Sequence, residues 1–384
     1  MNIQNTCETY VANTYKRYPV TFTRGEGARL WDENGREYID LGSGIAVNIF
    51  GVSDPQWAEA VTKQVRALPH TCNLYYAEPC ARLAEMLCER TGMKKVFFSN
   101  SGAEANECMI KTARKYGEAT GRSTIVTLKD SFHGRTIATL AATGQDVFHQ
   151  HFGPFPAGFV YAAPNDLAGL RTLCEENDAC AVMLEVVQGE GGVQALEGEL
   201  LRGAEALCRE KNMLLCIDEV QTGNGRCGEL YAYMAHNLNP DIVSTAKGLG
   251  GGLPIGATLL GEKVQNVLAY GDHGSTFGGN PVACAGAVSI LSRIDEALLA
   301  GVRARGEYIR AELEGAKGVI GVSGLGLMLG VETEKNAGEV VLACLARGVL
   351  VLTAKSRVRL LPPLTIDWED LKKAVAILKE VIGG

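Results

Sequence analysis

A lysine and an aspartate, each at the end of a short apolar segment, are the residues of this sequence most suited to chemistry. Lys247 follows the apolar segment IVSTA and precedes the glycine-rich stretch GLGGG, and Asp218 follows the apolar segment MLLCI. A lysine can form a Schiff base with an aldehyde, and a carboxylate can pair with the ring nitrogen of an aromatic cofactor. The two residues therefore predict an enzyme that binds an aromatic nitrogen cofactor carrying an aldehyde.

The elements that must position this pair form an alternating pattern of strands and helices. Nearly continuous apolar runs predict strands at 95–98, 124–128, 181–187, 213–217 and 242–245. Helical periodicity predicts helices at 57–68, 81–91, 104–116 and 199–211. Strands of this kind indicate an α/β domain with helices on both faces of a mainly parallel sheet. Ligands of such sheets bind at the carboxyl ends of the strands, where Asp218 and Lys247 fall.

The pattern changes after residue 279. A long helix at 282–294, short strands and a last helix at 368–382 indicate a smaller α+β domain. The N-terminal segment ARLWDENGREYIDL predicts a hairpin with Asn34 and Gly35 at its turn. We therefore predict a large domain over 49–279 and a small domain built from 1–48 and 280–384.

Composition excludes several classes of protein. The net charge of −7 and the lack of a Lys/Arg-rich block argue against nucleic-acid or membrane-surface partners. No segment reaches the length of a transmembrane helix and the first residues lack a signal-peptide core, so we expect a cytoplasmic protein. The twelve cysteines are scattered without a C-x-x-C pair and are expected to be reduced packing residues. His149 and His151 have no third ligand in view, so no metal is expected.

Further motifs accompany the lysine and the aspartate along nearly the whole chain. They are SGIAVN, FFSNSGAEANE, SFHGRT, QGEGG, IDEVQTGNGRCG, TAKGLGGGLPIGA, HGSTFGGNP and RLLPPL. Together they resemble the class III family of pyridoxal-phosphate-dependent aminotransferases. The resemblance implies the α/β fold type I architecture, with a mainly parallel seven-stranded sheet in the large domain, and pyridoxal 5'-phosphate as the cofactor.

The resemblance also implies roles around the cofactor ring. Asp218 would keep the pyridine nitrogen protonated, which makes the ring a better electron sink. Lys247 would be the covalent anchor and then the general acid and base. In the family, Val220 and Phe132 pack on the two ring faces, and Gln221 bonds the phenolic oxygen.

The phosphate group needs several donors. Ser101, Gly102 and Ala103 precede a strong helix, so their backbone amides are expected at its N-terminus. A helix N-terminus stabilises a bound anion by about 0.3–1 kcal/mol, and by up to about 2 kcal/mol when it is partly buried. This is too little to hold the phosphate, so further donors are expected. In the family, Thr276 reaches the phosphate of the neighbouring subunit's cofactor, with Ser275 beside it at the substrate. This implies a homodimer with shared active sites.

Two arginines resemble the carboxylate-binding residues of the family. Arg135 stands where the family binds the donor's α-carboxylate, and Arg359 where it binds 2-oxoglutarate or glutamate. Glu190 resembles the residue that neutralises Arg359 while the donor is bound and swings away for the dicarboxylate. Tyr15 is expected near the donor's far amino group. Ile45 stands where ornithine δ-aminotransferases usually carry tyrosine, which argues against free ornithine.

Several substrates and two other classes of protein are alternatives. The resemblance implies N2-acetylornithine as the donor, in arginine biosynthesis; succinylornithine, succinyldiaminopimelate, ornithine and 4-aminobutyrate are the other donors. Residues 223–228 match the dinucleotide motif G-x-G-x-x-G, but their distance from the strand and the lack of a ribose-binding acid argue against an NAD-dependent oxidoreductase. A non-catalytic binding protein is predicted to lack Lys247 or Asp218, and both are present.

Overall fold

The structure, a computed structural model, describes residues 2–384, so Met1 of the predicted small domain lies outside the described residues. Its helices are α1 Ile3–Tyr10, α2 Ser43–Ala46, α3 Pro55–Ala67, α4 Glu78–Thr91, α5 Gly102–Glu118, α6 Ile137–Ala142, α7 Asp146–His149, α8 Leu167–Glu176, α9 Gly198–Glu210, α10 Pro281–Leu291, α11 Glu296–Leu313, α12 Ala337–Ala346 and α13 Trp368–Gly383. The short α2 is a left-handed turn, because its four residues have positive φ angles. Short 3₁₀ helices cover Ala232–His236 and Lys247–Leu249.

The strands form three larger sheets and one two-stranded ribbon. They are β1 Phe22–Glu26, β2 Arg29–Asp32, β3 Glu37–Asp40, β4 Lys95–Ser99, β5 Thr124–Leu128, β6 Phe159–Ala162, β7 Ala179–Leu184, β8 Val187–Gln188, β9 Gln194–Ala195, β10 Leu214–Asp218, β11 Ile242–Thr245, β12 Gly256–Leu260, β13 Val319–Leu325, β14 Met328–Thr333, β15 Val349–Leu350, β16 Leu352–Ala354 and β17 Arg357–Leu360.

The large sheet has seven strands in the order β4-β12-β11-β10-β7-β5-β6. Only β12 runs antiparallel to its neighbours, β11 and β4; the other pairs are parallel. Every residue of β7, β10 and β11 is buried, because helices cover both faces of the sheet. The predicted mainly parallel α/β fold is therefore confirmed.

The parallel strands deliver polar residues to one edge of this sheet. Glu185 follows β7, Asp218 ends β10, and Lys247 follows β11 after a single alanine. The strand β4 leads through Asn100 into Ser101, whose hydroxyl caps α5 by accepting a hydrogen bond from the Glu104 amide at 3.2 Å. Because carboxyl ends of parallel strands meet at one edge, these side chains come from distant sequence positions to one place.

The remaining strands come from the two ends of the chain. Strands β2 and β3 pair antiparallel, which confirms the predicted hairpin, and Gly35 at its turn has a φ of +78°. Strand β3 also pairs in parallel with β15, through Ile39 opposite Val349. Strands β13, β14, β17 and β16 form an antiparallel sheet. The N-terminal and C-terminal segments thus share one sheet, while the domain boundaries at 48/49 and 279/280 stay a prediction.

Several elements differ from what the sequence analysis described. It left out the strands β6 and β12 and the helices α1, α6, α7 and α8. It placed a strand at 181–187, whereas β7 covers Ala179–Leu184, and it extended α10 to 294, whereas the helix ends at Leu291. Within residues 2–384, none of the helices combines the length and the apolar composition that spanning a membrane requires. All twelve cysteines are free thiols, and most of them are buried.

Candidate active site

A cavity of about 440 Å³ lies at the carboxyl edge of the large sheet. Its volume falls in the range typical of small-molecule and cofactor sites. Most of the residues predicted for the site line it together: Ser101, Gly102, Ala103, Phe132, Arg135, Glu190, Asp218, Val220, Gln221 and Lys247. The strand ends and the loops that follow them therefore assemble one site from segments that are far apart in sequence.

The carboxylate of Asp218 is held by three donors. The Asn106 side chain donates to Oδ2 at 2.7 Å, His133 Nδ1 lies 2.8 Å from the same oxygen, and the Val220 amide donates to Oδ1 at 3.0 Å. All three side chains, those of Asp218, Asn106 and His133, are nearly inaccessible to solvent. The network fixes the direction in which Asp218 faces the cavity, as required of a carboxylate that pairs with a ring nitrogen.

Lys247 has an unusual backbone and a perturbed amine. Its φ of +44° lies in the left-handed region, which non-glycine residues rarely adopt and which is frequent at functional sites. Burial lowers the pKa of its amine below the ordinary value, although the negative charge of Glu190 opposes this shift. A larger fraction of the amine is therefore neutral, which suits a nucleophile and a proton carrier.

The start of α5 provides the anion-binding end of the cavity. The amides of Gly102 and Ala103 belong to the first turn and have no intrahelical acceptor, so they are available to a ligand. A Cβ placed on Gly102 would lie 2.6 Å from Val220 Cγ1, so glycine is required for this close approach. Asn100, which also lines the cavity, donates to Ser275 Oγ at 3.2 Å.

Another part of the site contains a partly buried ion pair between Arg359 and Glu190. Arg359 Nη1 lies 2.5 Å from Glu190 Oε1 and 3.2 Å from Gln221 Oε1, and Gln221 also donates to Glu190 at 3.3 Å. Burial acts to raise the pKa of Glu190, but the charge and the hydrogen bond of Arg359, together with the charge of Lys247 and the hydrogen bond of Gln221, hold the pKa below the ordinary value. The guanidinium of Arg359 is thus covered by a carboxylate and does not line the open cavity.

Besides Arg359, four predicted residues lie at the rim of the cavity or outside it. Arg135 is at the mouth, exposed, with its guanidinium carbon 4.2 Å from the centre of the Phe148 ring. Tyr15 is 73% exposed, and neither it nor Ser275 nor Thr276 lines the cavity within this chain. The roles assigned to these residues stay predictions.

Asn106, His133 and Glu185 line the cavity but were missing from the predicted site. His133 lies inside the motif SFHGRT, next to Phe132, so the sequence could have identified it as a residue of the site. Glu185 is buried, and its carboxylate accepts hydrogen bonds from the amides of Phe132 at 2.9 Å and Gly189 at 3.2 Å. Burial raises its pKa to about 7.

A second buried carboxyl group, next to Asp218, gives a pH-dependent stability. Glu219 is fully buried, and burial raises its pKa from 4.5 to about 7. The folded protein therefore binds this proton more tightly than the unfolded chain. The resulting stabilisation is complete below pH 4.5 and is lost as the pH rises through about 7.

We expect Glu219→Gln to reduce the loss of stability between about pH 5 and pH 8 by about 3 kcal/mol. Urea unfolding at both pH values measures this difference. Glu314→Gln, which changes an exposed carboxylate, is the control and should leave the pH dependence unchanged. An equal pH dependence in Glu219→Gln and the wild type would contradict the prediction.

The groups along the cavity are complementary to a phosphorylated pyridine aldehyde. Helix amides face the phosphate end, Phe132 and Val220 supply walls for a ring, and Asp218 and Lys247 suit the ring nitrogen and the aldehyde. The fold and the site define a fold type I enzyme that uses pyridoxal phosphate. The model of the aminotransferase class-III family matches residues 10–382, and the chain belongs to this family.

Curated relatives and solved structures agree with this assignment. The acetylornithine aminotransferase of Haemophilus ducreyi is 52% identical over 97% of this chain and 96% of its own. The N-acetylornithine aminotransferase of Stenotrophomonas maltophilia has a TM-score of 0.85 and 35% identity, covering 98% of each chain. The ornithine aminotransferase of Toxoplasma gondii, a structure with partial occupancy of pyridoxal phosphate at its active site, has a TM-score of 0.94 and 32% identity, covering 99% of this chain and 93% of that one.

Proposed function

We propose that this aminotransferase moves the δ-amino group of N2-acetylornithine to 2-oxoglutarate, giving N-acetylglutamate 5-semialdehyde and glutamate. The observation that carries the proposal is the pair of Arg359 and Glu190 at 2.5 Å, in the same site as Lys247. A covered arginine accepts a donor without a second carboxylate, and an uncovered one accepts a dicarboxylate. The curated relatives at 40–52% identity, all named acetylornithine aminotransferases, support this choice of donor.

The residues divide the work between two half-reactions. With the donor bound, Arg135, which lines the cavity, binds the α-carboxylate in this proposal, while Glu190 stays on Arg359. The amine of Lys247 would take the proton from the δ-carbon of the donor and hold it for return within the same half-reaction. Bound pyridoxal phosphate supplies the electron sink for the negative charge left on that carbon. For 2-oxoglutarate, Glu190 rotates away and Arg359 binds the distal carboxylate.

We also propose that the enzyme is a cytoplasmic homodimer in which Thr276 reaches the partner's phosphate site. Large apolar side chains are exposed around Thr276 and on the segment after α3: Leu74 at 88%, Tyr76 at 105%, Tyr270 at 109% and Phe277 at 60%. Large apolar side chains left open to solvent support a partner subunit at these segments. We also propose that each subunit is divided at 48/49 and 279/280 into a large domain and a small domain.

The donor is identified by single half-reactions of the purified, cofactor-loaded protein. We expect N-acetylornithine to bleach the visible absorbance of the bound cofactor at least about tenfold faster than ornithine, succinylornithine or 4-aminobutyrate, since a pocket separates such analogues by about 1–3 kcal/mol. Ornithine is the principal alternative because a solved ornithine aminotransferase shares this fold, whereas Ile45 argues against it. If another amine bleached the cofactor faster, that amine would be the donor in place of N-acetylornithine. If no amine bleached it, the proposed function would be wrong.

A further inference from the structure

The loop that carries Glu190 is tied to its surroundings at both ends. We call residues 188–192 the gate loop. Gln188 Nε2 donates to the carbonyl oxygen of Lys129 at 2.8 Å, and the Gly189 amide donates to Glu185 at 3.2 Å. At the other end, Arg357 Nη1 donates to the carbonyl oxygen of Gly192 at 3.0 Å. The loop on either side of Glu190 is therefore held by three hydrogen bonds, one from the side chain of Gln188 and two that involve the loop backbone.

The gate loop also has no room to shift sideways. A Cβ on Gly189 would lie 2.4 Å from Gln221 Oε1, and a Cβ on Gly191 would lie 2.4 Å from the carbonyl oxygen of Asp130. Contacts this close mean that the loop backbone packs directly on its neighbours. Lys355 adds an ion pair to Asp130, which holds that neighbour in place. The part of the gate loop left free to move is the side chain of Glu190, which is 29% exposed.

Arg357 and Arg359 act on this loop from the same strand. They lie two residues apart in β17, so their side chains leave the same face of the strand. Arg359 binds the Glu190 side chain, and Arg357 binds the backbone two residues further on, at Gly192. Strand β17 therefore contacts both the side chain of Glu190 and the loop backbone at Gly192.

The guanidinium of Arg357 is itself well anchored. Its Nη2 donates to Glu332 Oε2 at 2.9 Å, and its Nη1 also donates to Ser323 Oγ at 3.1 Å and to Gln194 Oε1 at 3.2 Å. These partners belong to β13 and β14, and to β9 just beyond the gate loop. A planar guanidinium can serve such a set of acceptors in one orientation, which a lysine amine does less well.

We propose that Arg357 is a positioning residue that fixes the gate-loop backbone, so that the exchange of substrates is a rotation of the Glu190 side chain alone. By holding the loop, Arg357 sets how much of the time Glu190 covers Arg359. This inference rests on the proposed roles of Glu190 and Arg359. It predicts a substitution that changes the choice between donor and dicarboxylate without touching either substrate.

The test compares two half-reactions of each cofactor-loaded variant, one with N-acetylornithine and one with glutamate. In Arg357→Gln, the loosened loop leaves Arg359 without its Glu190 partner more often. An uncovered Arg359 weakens the reaction with N-acetylornithine, which has no second carboxylate, and leaves the reaction with glutamate unaffected. We expect the efficiency of the N-acetylornithine half-reaction to fall about tenfold, equal to about 1.4 kcal/mol, while that with glutamate stays within about twofold. Arg357→Lys keeps the positive charge beside Glu332 but loses the planar guanidinium. Its efficiency with N-acetylornithine should therefore also fall, but by less than in Arg357→Gln.

The matched control is Arg310→Gln. Arg310 also bonds two backbone carbonyl oxygens of the small antiparallel sheet, those of Val322 at 2.7 Å and Gly324 at 3.0 Å, and its exposure of 29% is close to the 23% of Arg357. It does not touch the gate loop, so both half-reactions should keep wild-type efficiency. An equal fall of both half-reactions in Arg357→Gln, no change, or the same selective loss in the control would overturn the inference.

The test includes an alternative variant and a wild-type measurement. If Arg357→Gln is insoluble, Arg357→Lys takes its place, and a wild-type ratio of the two efficiencies in that variant would equally overturn the inference. The wild-type protein is measured first with both substrates. Failure of the wild type to react with either substrate contradicts the proposed function, whereas a reactive wild type with an unselective Arg357 variant contradicts the inference alone.

Discussion

Replacement of Lys247 with alanine is expected to abolish transamination while the fold stays intact. We propose that this side chain is both the covalent anchor and the proton carrier, so the loss should reach at least about 10⁴-fold, the upper end of what general acid–base catalysis supplies. The reason lies in its position, directly after β11 and enclosed by the cavity, where burial lowers the pKa of the amine. Steady-state turnover measures the loss, and circular dichroism with a thermal melt measures the fold.

The control for this prediction is another lysine outside the cavity. Lys94→Ala removes a lysine that pairs with Glu262 at 3.6 Å on the surface, and it should keep wild-type turnover. The visible absorbance of the lysine-bound cofactor should be absent from Lys247→Ala and present in the control. Turnover of Lys247→Ala at the wild-type rate would end the proposed mechanism.

The change of Asp218 to asparagine is the second large effect we expect. The substitution keeps the shape of the side chain but removes the negative charge that we propose for the ring nitrogen, and asparagine has fewer acceptor atoms to offer His133 and Asn106. Loss of one preorganised electrostatic group of this kind lowers kcat by about 10²–10³-fold. The measurement is kcat for the full reaction at saturating cofactor, which separates loss of catalysis from loss of binding.

Asp241→Asn provides a comparison within the same sheet. Asp241 precedes β11, accepts a hydrogen bond from the Leu215 amide at 2.9 Å and lies outside the cavity. The variant is expected to lose some stability and keep its kcat. If Asp218→Asn retained wild-type kcat, the role of Asp218 at the ring nitrogen would be wrong.

Much of the large sheet could be predicted because its strands are apolar along their whole length. Strands β5 and β11 coincide with the predicted segments, and β4 and β10 differ from theirs by a residue or less at each end. The carboxyl-edge rule then placed Asp218 and Lys247 together, although they lie in different strands. Local pattern and topology were sufficient here because helices cover both faces of the sheet.

The rest of the site depends on tertiary contacts that a local pattern does not contain. Asn106 lies within a helix, and its pairing with Asp218 is visible only when α5 packs on the sheet. Strand β12 reads GATLL after a glycine-rich turn, so its short apolar run gave no clear period. Arg357 was not singled out because a strand arginine in sequence gives no sign that its partners are Gly192 and Glu332.

The antiparallel strand β12 has a consequence for how the site keeps its dimensions. It pairs on one side with β11, Ala257 opposite Thr245, and on the other with β4, Gly256 opposite Ser99. The residues that follow β11 and β4 include Lys247 and Ser101, the two proposed anchoring points for the cofactor, and the two strands lie two strand spacings apart, about 10 Å. Strand β12 thus acts as a spacer of constant width between the segments that lead to these two residues.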